Sequence, residues 1–274
     1  MNIGSQWNDR LKIWAEQFPK YYYRKAAALP VSYFTTMEHI PIEQAAQGHY
    51  VPAPVGMQWG RKWEYGWFRT QLVIPDDLAG KRVVFTLNTA EEMLVWVNGR
   101  EAGAMDRKHR FITLSRAAKA GDPYEIYAEC YAGHGIRNEG AGPVGWGEES
   151  VPEPPTYQVT VGQSHFGVWN EALFQVAMDY LTLYSLVQKL PEKSLRAMKI
   201  IEGLKKFTYI ADFELPEPEM TASVLEAGKL LKPLLECRNG STAPEYTVFG
   251  QSHLDLAWLW PVEESMRKAA RTYT

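Results

Sequence analysis

His253 and Asp255, with Trp258 and Trp260 close behind, are the residues of this 274-residue chain whose types and spacing suggest chemistry. On an extended backbone, residues two apart project to the same face. One imidazole nitrogen and one carboxylate oxygen would then converge on a single cation. Both are good zinc ligands, and zinc takes four ligands, or three and a water. A bare His-x-Asp has a plain alternative, a surface or capping pair. Trp258 and Trp260 flank Leu259, and indole rings fill cores as readily as they stack on the C–H faces of sugars. Glu148 and Glu149 form a second carboxylate pair in a loop. Adjacent loop side chains point apart, so no catalytic role is expected there.

The elements around His253 and Asp255 predict how they are positioned. Tyr246 to Phe249 is a compact run of β-formers. Pro261 suits the first turn of a helix, Glu263 and Glu264 complement its N-terminal dipole, and Arg267, Lys268 and Arg271 lie towards the other end. The segment reads strand, short connection, helix, the unit from which parallel α/β sheets and barrels are built. Active sites in such folds form at the C-terminal strand edge, where His253 and Asp255 fall.

The full string from Gln251 to Tyr273, Gln-Ser-His-Leu-Asp-Leu-Ala-Trp-Leu-Trp-Pro-Val-Glu-Glu-Ser-Met-Arg-Lys-Ala-Ala-Arg-Thr-Tyr, resembles the start of the catalytic domain of family 38 glycoside hydrolases. These are the α-mannosidases, and the likeness is to the bacterial, fungal and vacuolar branch. The resemblance implies that His253 and Asp255 bind a catalytic zinc and that Trp258 lines the subsite of the sugar being cleaved. The zinc would hold sugar hydroxyls as template and Lewis acid. Retention of configuration would use a carboxylate nucleophile and a second carboxylic acid about 5–5.5 Å apart. In the family the nucleophile and the last His ligand lie far downstream, and no position here takes those roles. The expectation is therefore the N-terminal part of a larger zinc-dependent α-mannosidase acting on mannose-containing oligosaccharides. Alone it should lack glycosidase activity, hold zinc weakly, and depend on the rest of the catalytic domain.

Upstream, four stretches are expected. Residues 1–30 form an N-terminal helical segment, with Trp7, Leu11, Trp14 and Phe18 at helical spacing over 5–25. Residues 31–162 read as an antiparallel, jelly-roll-like β-sandwich. Its β-rich runs are short, and Asn98-Gly99 is a strong hairpin signal because both residues tolerate positive φ. A Gly- and Pro-rich loop over 132–155 includes Gly140, Gly142 and Pro143. Residues 163–243 form a helical connecting region: one helix over 170–189, a second from Ser194, and a third over 217–237 that Pro233 must bend or shorten, closed by Asn239-Gly240. Residues 244–274 begin the α/β barrel after a Ser241-Thr242-Ala243-Pro244 linker.

The composition is 46% hydrophobic and 22% charged with a formal net charge of −3, which argues against nucleic acid or an anionic membrane as partner. No apolar run approaches the ~20 residues of a membrane helix, and Met1 to Lys20 shows no secretory h-region. Cys130 and Cys237 are the only cysteines, so a reducing cytoplasm is expected. Both read as packing residues, and His39, His49, His109, His134 and His165 have no ligand spacing. Two other readings stay open. The sandwich could be a carbohydrate-binding module if Trp59, Trp63, Trp67, Trp96 and Trp146 form an exposed row. It could instead be a structural brace with an interface for homo-oligomers. A phosphoesterase could also start with His-x-Asp, but it would need more Asp/His clusters than this chain offers nearby.

Overall fold

β-branched and aromatic runs between residues 23 and 169 pair into an antiparallel β-sandwich. The computed structural model describes residues 5–135, 145–147, 149, 151–191, 194–238, 240 and 243–274. Gly140, Gly142, Pro143 and Glu148 of the expected loop lie outside the described residues, as do Asn239, Ser241 and Thr242. One sheet has the order β3 (Val51–Pro52), β2 (Ser32–Thr36), β5 (Tyr65–Val73), β10 (Pro123–Tyr131), β7 (Glu92–Val97) and β8 (Arg100–Asp106). The other has the order β1 (Tyr23–Ala28), β12 (His165–Trp169), β6 (Val83–Thr86) and β9 (Ile112–Ser115). A short ladder joins β11 (Val159–Thr160) to β4 (Gln58–Trp59). Asn98 and Gly99 take φ of 50° and 74°, the conformation a tight β7–β8 hairpin requires.

Strand alternation gives the larger sheet two different faces. Phe68 stands opposite Ala128, which stands opposite Val95, and all three enter the sandwich core with Trp59, Phe85 and Ile126. One residue along, Trp67 stands opposite Glu129, which stands opposite Leu94. This second face is covered too. Ile40 and Ala45, the latter in the short helix α3 (Ile42–Ala45), cluster there with Trp67, Leu94, Trp96 and Tyr127.

Two compact units result, residues Met1–Arg24 with Trp169–Val248, and residues Lys25–Val168 with Phe249–Thr274. The first is helical: α1 (Ser5–Gln17), α2 (Pro19–Tyr22), α4 (Glu171–Val187), α5 (Leu195–Ile210), α6 (Glu217–Gly228) and α7 (Lys232–Leu235). Asn170 and Ser194 cap α4 and α5, their side chains accepting from Leu173 N and Ala197 N. Leu11, Phe18, Tyr180, Leu204 and Phe207 fill its core. The helix expected over 5–25 ends at Gln17, because Pro19 opens a separate turn and Tyr23 already starts a strand. The helix expected over 217–237 divides into α6 and α7, with Pro233 at the start of the latter. Residues 1–30, set apart by the sequence, do not stand alone: α1 shares its core with α4 and α5.

The helix expected after Pro261 is present as α8 (Val262–Tyr273), but residues 246–249 form no strand. A strand exists only when a neighbour completes its hydrogen bonds, and none lies beside this run among the described residues.

Gly66, on β5, leaves no room for a side chain. A Cβ there would lie 2.8 Å from the Trp59 ring and 2.9 Å from the Phe68 ring, both buried. Trp59 cannot easily retreat, since its Nε1–H donates to the Thr89 carbonyl at 2.9 Å. Gly66→Ala should therefore cost ~1–3 kcal/mol, read as a lower urea midpoint. An unchanged midpoint would show that the β4–β5 packing yields.

Candidate functional site

The helix that follows the His-x-Asp segment buries the face that composition would leave in water. Glu264, Arg267, Lys268 and Arg271 are spaced three, four and seven apart, so they share one side of α8. That side lies on the outer face of the six-stranded sheet. Glu264 is 0% exposed and Arg271 is 7% exposed, whereas Val262 is 55% and Met266 80% exposed. Burying charge is expensive unless each charge is paired. Here the pairing is close. Arg271 Nη2 donates to Glu264, and its Nε donates to Glu92 at 2.7 Å. Lys268 Nζ reaches both Glu92 oxygens at 2.9 and 3.0 Å. Arg267 Nη1 lies 3.1 Å from Glu129 Oε1, and its Nη2 donates to the Ile40 carbonyl at 3.2 Å. Three cations thus meet three carboxylates.

Two neutral groups complete the cluster. The Tyr65 hydroxyl donates to Glu264, so His39 Nε2–H donates to the Tyr65 oxygen at 2.6 Å. Register explains why these groups meet: Tyr131 stands opposite Tyr65 and Glu129 opposite Trp67, all on the outer face. Burial works to raise the Glu92 carboxyl, but Arg271 and Lys268 outweigh it and hold its pKa below the ordinary carboxylate value. For Glu129 burial prevails over Arg267 and Arg271, and the pKa is raised. Burial also raises the Tyr65 and Tyr131 phenols and lowers His39.

The segment before α8 is fixed to it by side chains. Trp260 Nε1–H donates to Ser265 Oγ at 3.1 Å, Ser265 Oγ–H donates to the Leu256 carbonyl, and Lys268 Nζ sits 4.6 Å from the Trp260 ring centroid. Trp258 packs edge-on against Trp260 at 6.3 Å and is 64% exposed. His253 Nε2 and Asp255 Oδ1 come together at 3.1 Å, both side chains reaching solvent. The donor types suit zinc, yet among the described residues no third His, Cys, Asp or Glu joins them. They fit two of the four positions zinc requires.

Trp258, Leu259 and Trp260 form one wall of a cleft of about 850 Å³. The sandwich supplies the rest, including Glu91, Asp106, Arg110, Tyr131 and His134. His253 and Asp255 are not among its lining residues.

Several sequence expectations take other forms. Trp59, Trp67 and Trp96 are buried, so no exposed Trp row crosses the sandwich; Trp63 is half-buried, and Trp146 is exposed. Strand alternation drives those rings into the two cores. Cys130 is buried, its thiol pushed up to about 12 by burial. Cys237, expected to pack, is exposed just past α7. His39, expected to be isolated, is joined to Tyr65. Spacing along the chain could not show this, since the two lie 26 residues apart, His39 between β2 and α3 and Tyr65 on β5.

Residues 27–165 match the family model described as the Ams1-like α-mannosidase jelly roll domain. Mouse alpha-mannosidase 2C1 is 28% identical over 253 residues, covering 91% of this chain and 23% of that protein. Alpha-mannosidase G of Dictyostelium discoideum is 23% identical over 258 residues, with 92% and 23% covered. The chain thus spans about a quarter of the length of these relatives. A β-glucuronidase structure from Ruminococcus gnavus aligns over 55% of this chain and 30% of that one, at 12% identity and a TM-score of 0.38.

Arg271→Met would leave Glu264 buried without its cation and should cost ~3–5 kcal/mol in denaturant unfolding. Adding Glu264→Leu should restore much of the loss, because an apolar pair needs no neutralisation. A single variant as stable as the parent would refute the buried pairing. A pH effect follows from Glu92. Its folded pKa is below the ordinary value of about 4.3, so its contribution is complete above that pH and is lost as pH falls through the folded value. Glu92→Gln should lower stability at pH 7 and flatten the acid limb below about pH 4.3. Parallel limbs for the two proteins would contradict it.

Proposed function

The chain belongs to the α-mannosidase jelly roll domain family, and from that premise we propose that it works as the N-terminal part of a zinc-dependent, retaining family 38 α-mannosidase. The observation that carries this reading is the extent of likeness: similarity to α-mannosidases runs over 91% of the chain, past the sandwich and through the helices. The substrate is then a mannose-containing oligosaccharide.

In this reading His253 and Asp255 are two ligands of the zinc, and further ligands come from the rest of the catalytic domain. The zinc, when bound, supplies Lewis acidity and a template for sugar hydroxyls. Trp258 offers its exposed indole to the C–H face of the sugar being cleaved. The two carboxyl groups of a retaining site, about 5–5.5 Å apart, are assigned to no residue of this chain. The sandwich acts as a brace: through Glu92, Glu129 and Tyr65 it grips α8, and α8 in turn holds the segment bearing Trp258. A cytoplasmic location agrees with two unpaired cysteines, one buried and one exposed. No helix among the described residues is long and apolar enough to cross a membrane.

The 274-residue chain alone should show no turnover of an aryl α-mannoside. In a longer α-mannosidase polypeptide carrying this sequence, His253→Ala should lower both bound zinc, by metal analysis, and turnover. Activity of the short chain, or full zinc and turnover in the variant, would overturn the assignment.

A further inference from the structure

We propose that the sandwich wall of the 850 Å³ cleft, centred on Arg110 and His134, is a binding subsite for a neutral pyranose, the unit of a glycan that adjoins the one on Trp258. The proposal rests on the reading of Trp258 as a sugar contact and extends it to the jelly roll.

Size and surface come first. The cleft falls within the roughly 300–1,000 Å³ of small-ligand sites. Trp258 and Trp260 stand nearly perpendicular, with an interplanar angle of 67°. They form an apolar corner able to take the C–H face of a pyranose.

Charge selects the kind of ligand. Three carboxylates line the cleft, Glu91, Glu92 and Asp106, and three cations, Arg107, Arg110 and Lys268. They cancel, and the carboxylates are individually met. Arg107 pairs with Glu91, and Lys268 with Glu92. Asp106 accepts from the backbone N–H of Lys108 and of His109, each at 2.6 Å. An anionic or cationic ligand gains no net attraction from such a wall. A neutral polyhydroxylated ligand does gain, because each hydroxyl both donates and accepts and can bridge paired charges.

Two buried polar atoms at the same wall lack a partner among the described residues, His134 Nδ1 and the Tyr131 hydroxyl. Tyr131 is only 5% exposed. Buried polar atoms are nearly always satisfied, so unpartnered ones on residues that line a cleft mark side chains able to turn and meet a ligand. Arg110 lines the cleft, and its side chain is tethered by donation of its Nε–H to the Arg107 carbonyl at 3.1 Å.

The test is calorimetric and saturation-transfer NMR titration of the 274-residue chain with α-linked mannobiose, mannose and N-acetylneuraminic acid. Mannobiose should bind, and the charged sugar should not. Arg110→Ala and His134→Ala should each weaken mannobiose about tenfold, the effect of one lost charge-assisted or buried hydrogen bond, with an unchanged thermal midpoint. Arg110→Lys, which keeps the charge but loses the fork, should fall between. If mannobiose does not bind, or binds equally to all three sandwich variants, the inference is overturned. Trp258→Ala separates the two readings. Loss of binding in Trp258→Ala with full binding in the sandwich variants sinks this subsite alone. Binding that survives Trp258→Ala removes the Trp258 reading on which it rests.

Discussion

The arrangement of α8 depends on the mutual neutralisation of six buried or half-buried charges. Arg267, Lys268 and Arg271 on the helix are matched by Glu264 on the same helix and by Glu92 and Glu129 on the sheet. Taking any one of these from water alone would cost several kcal/mol, of order what a domain has to spare in total. Together they are tolerated because each carboxylate has a cation within hydrogen-bonding distance. The sheet's contribution is geometric. Tyr65, Glu129 and Tyr131 project to one side only because strand alternation places them there, and β5–β10 register lines them up.

That clasp links the two halves of the candidate site. Lys268 belongs to both: it binds Glu92 below and lies against the Trp260 ring above. Ser265, the residue after Glu264, accepts from Trp260 and donates to the Leu256 carbonyl. The segment carrying Trp258 is therefore tied to a helix that is itself tied to the sandwich. Arg271 reaches two carboxylates at once with a planar fork, a task an ammonium performs less directionally.

Much of this molecule was legible in the sequence, and the exceptions share a cause. The sandwich could be read because its signals are local: period-two runs, Asn98-Gly99, and turns at short intervals. Asn170 and Ser194 as helix caps are equally local signals. The family resemblance of the His253–Asp255 segment rests on a long string of residues, not on the spacing of two. What could not be read was contact between distant residues. Glu264 and Arg267 to Arg271 were understood as charges serving the helix dipole, which is the ordinary role of such residues at helix ends. Their burial depends on Glu92 and Glu129, which lie in strands 130 or more residues earlier. The strand expected over 246–249 failed for the same reason in reverse: its propensity was sound, but a strand's stability resides in its neighbours.

A polar clasp also constrains α8 in a way an apolar one would not. Apolar side chains on Ala270's side would still bury area if the helix turned or slid by a fraction of a turn, since dispersion contacts are not directional. Rotation by one residue, about 100°, would instead carry Arg267, Lys268 and Arg271 away from the sheet and leave Glu92 and Glu129 unpaired at once. The penalty for a wrong register is then several buried charges, against a modest gain for the right one compared with an oily contact. This suits a helix whose preceding segment must present Trp258 at a defined place. It also suits Ala270, which packs on the Trp67–Trp96 surface beside the charged positions: its small side chain lets the helix approach closely enough for the guanidinium groups to reach the sheet.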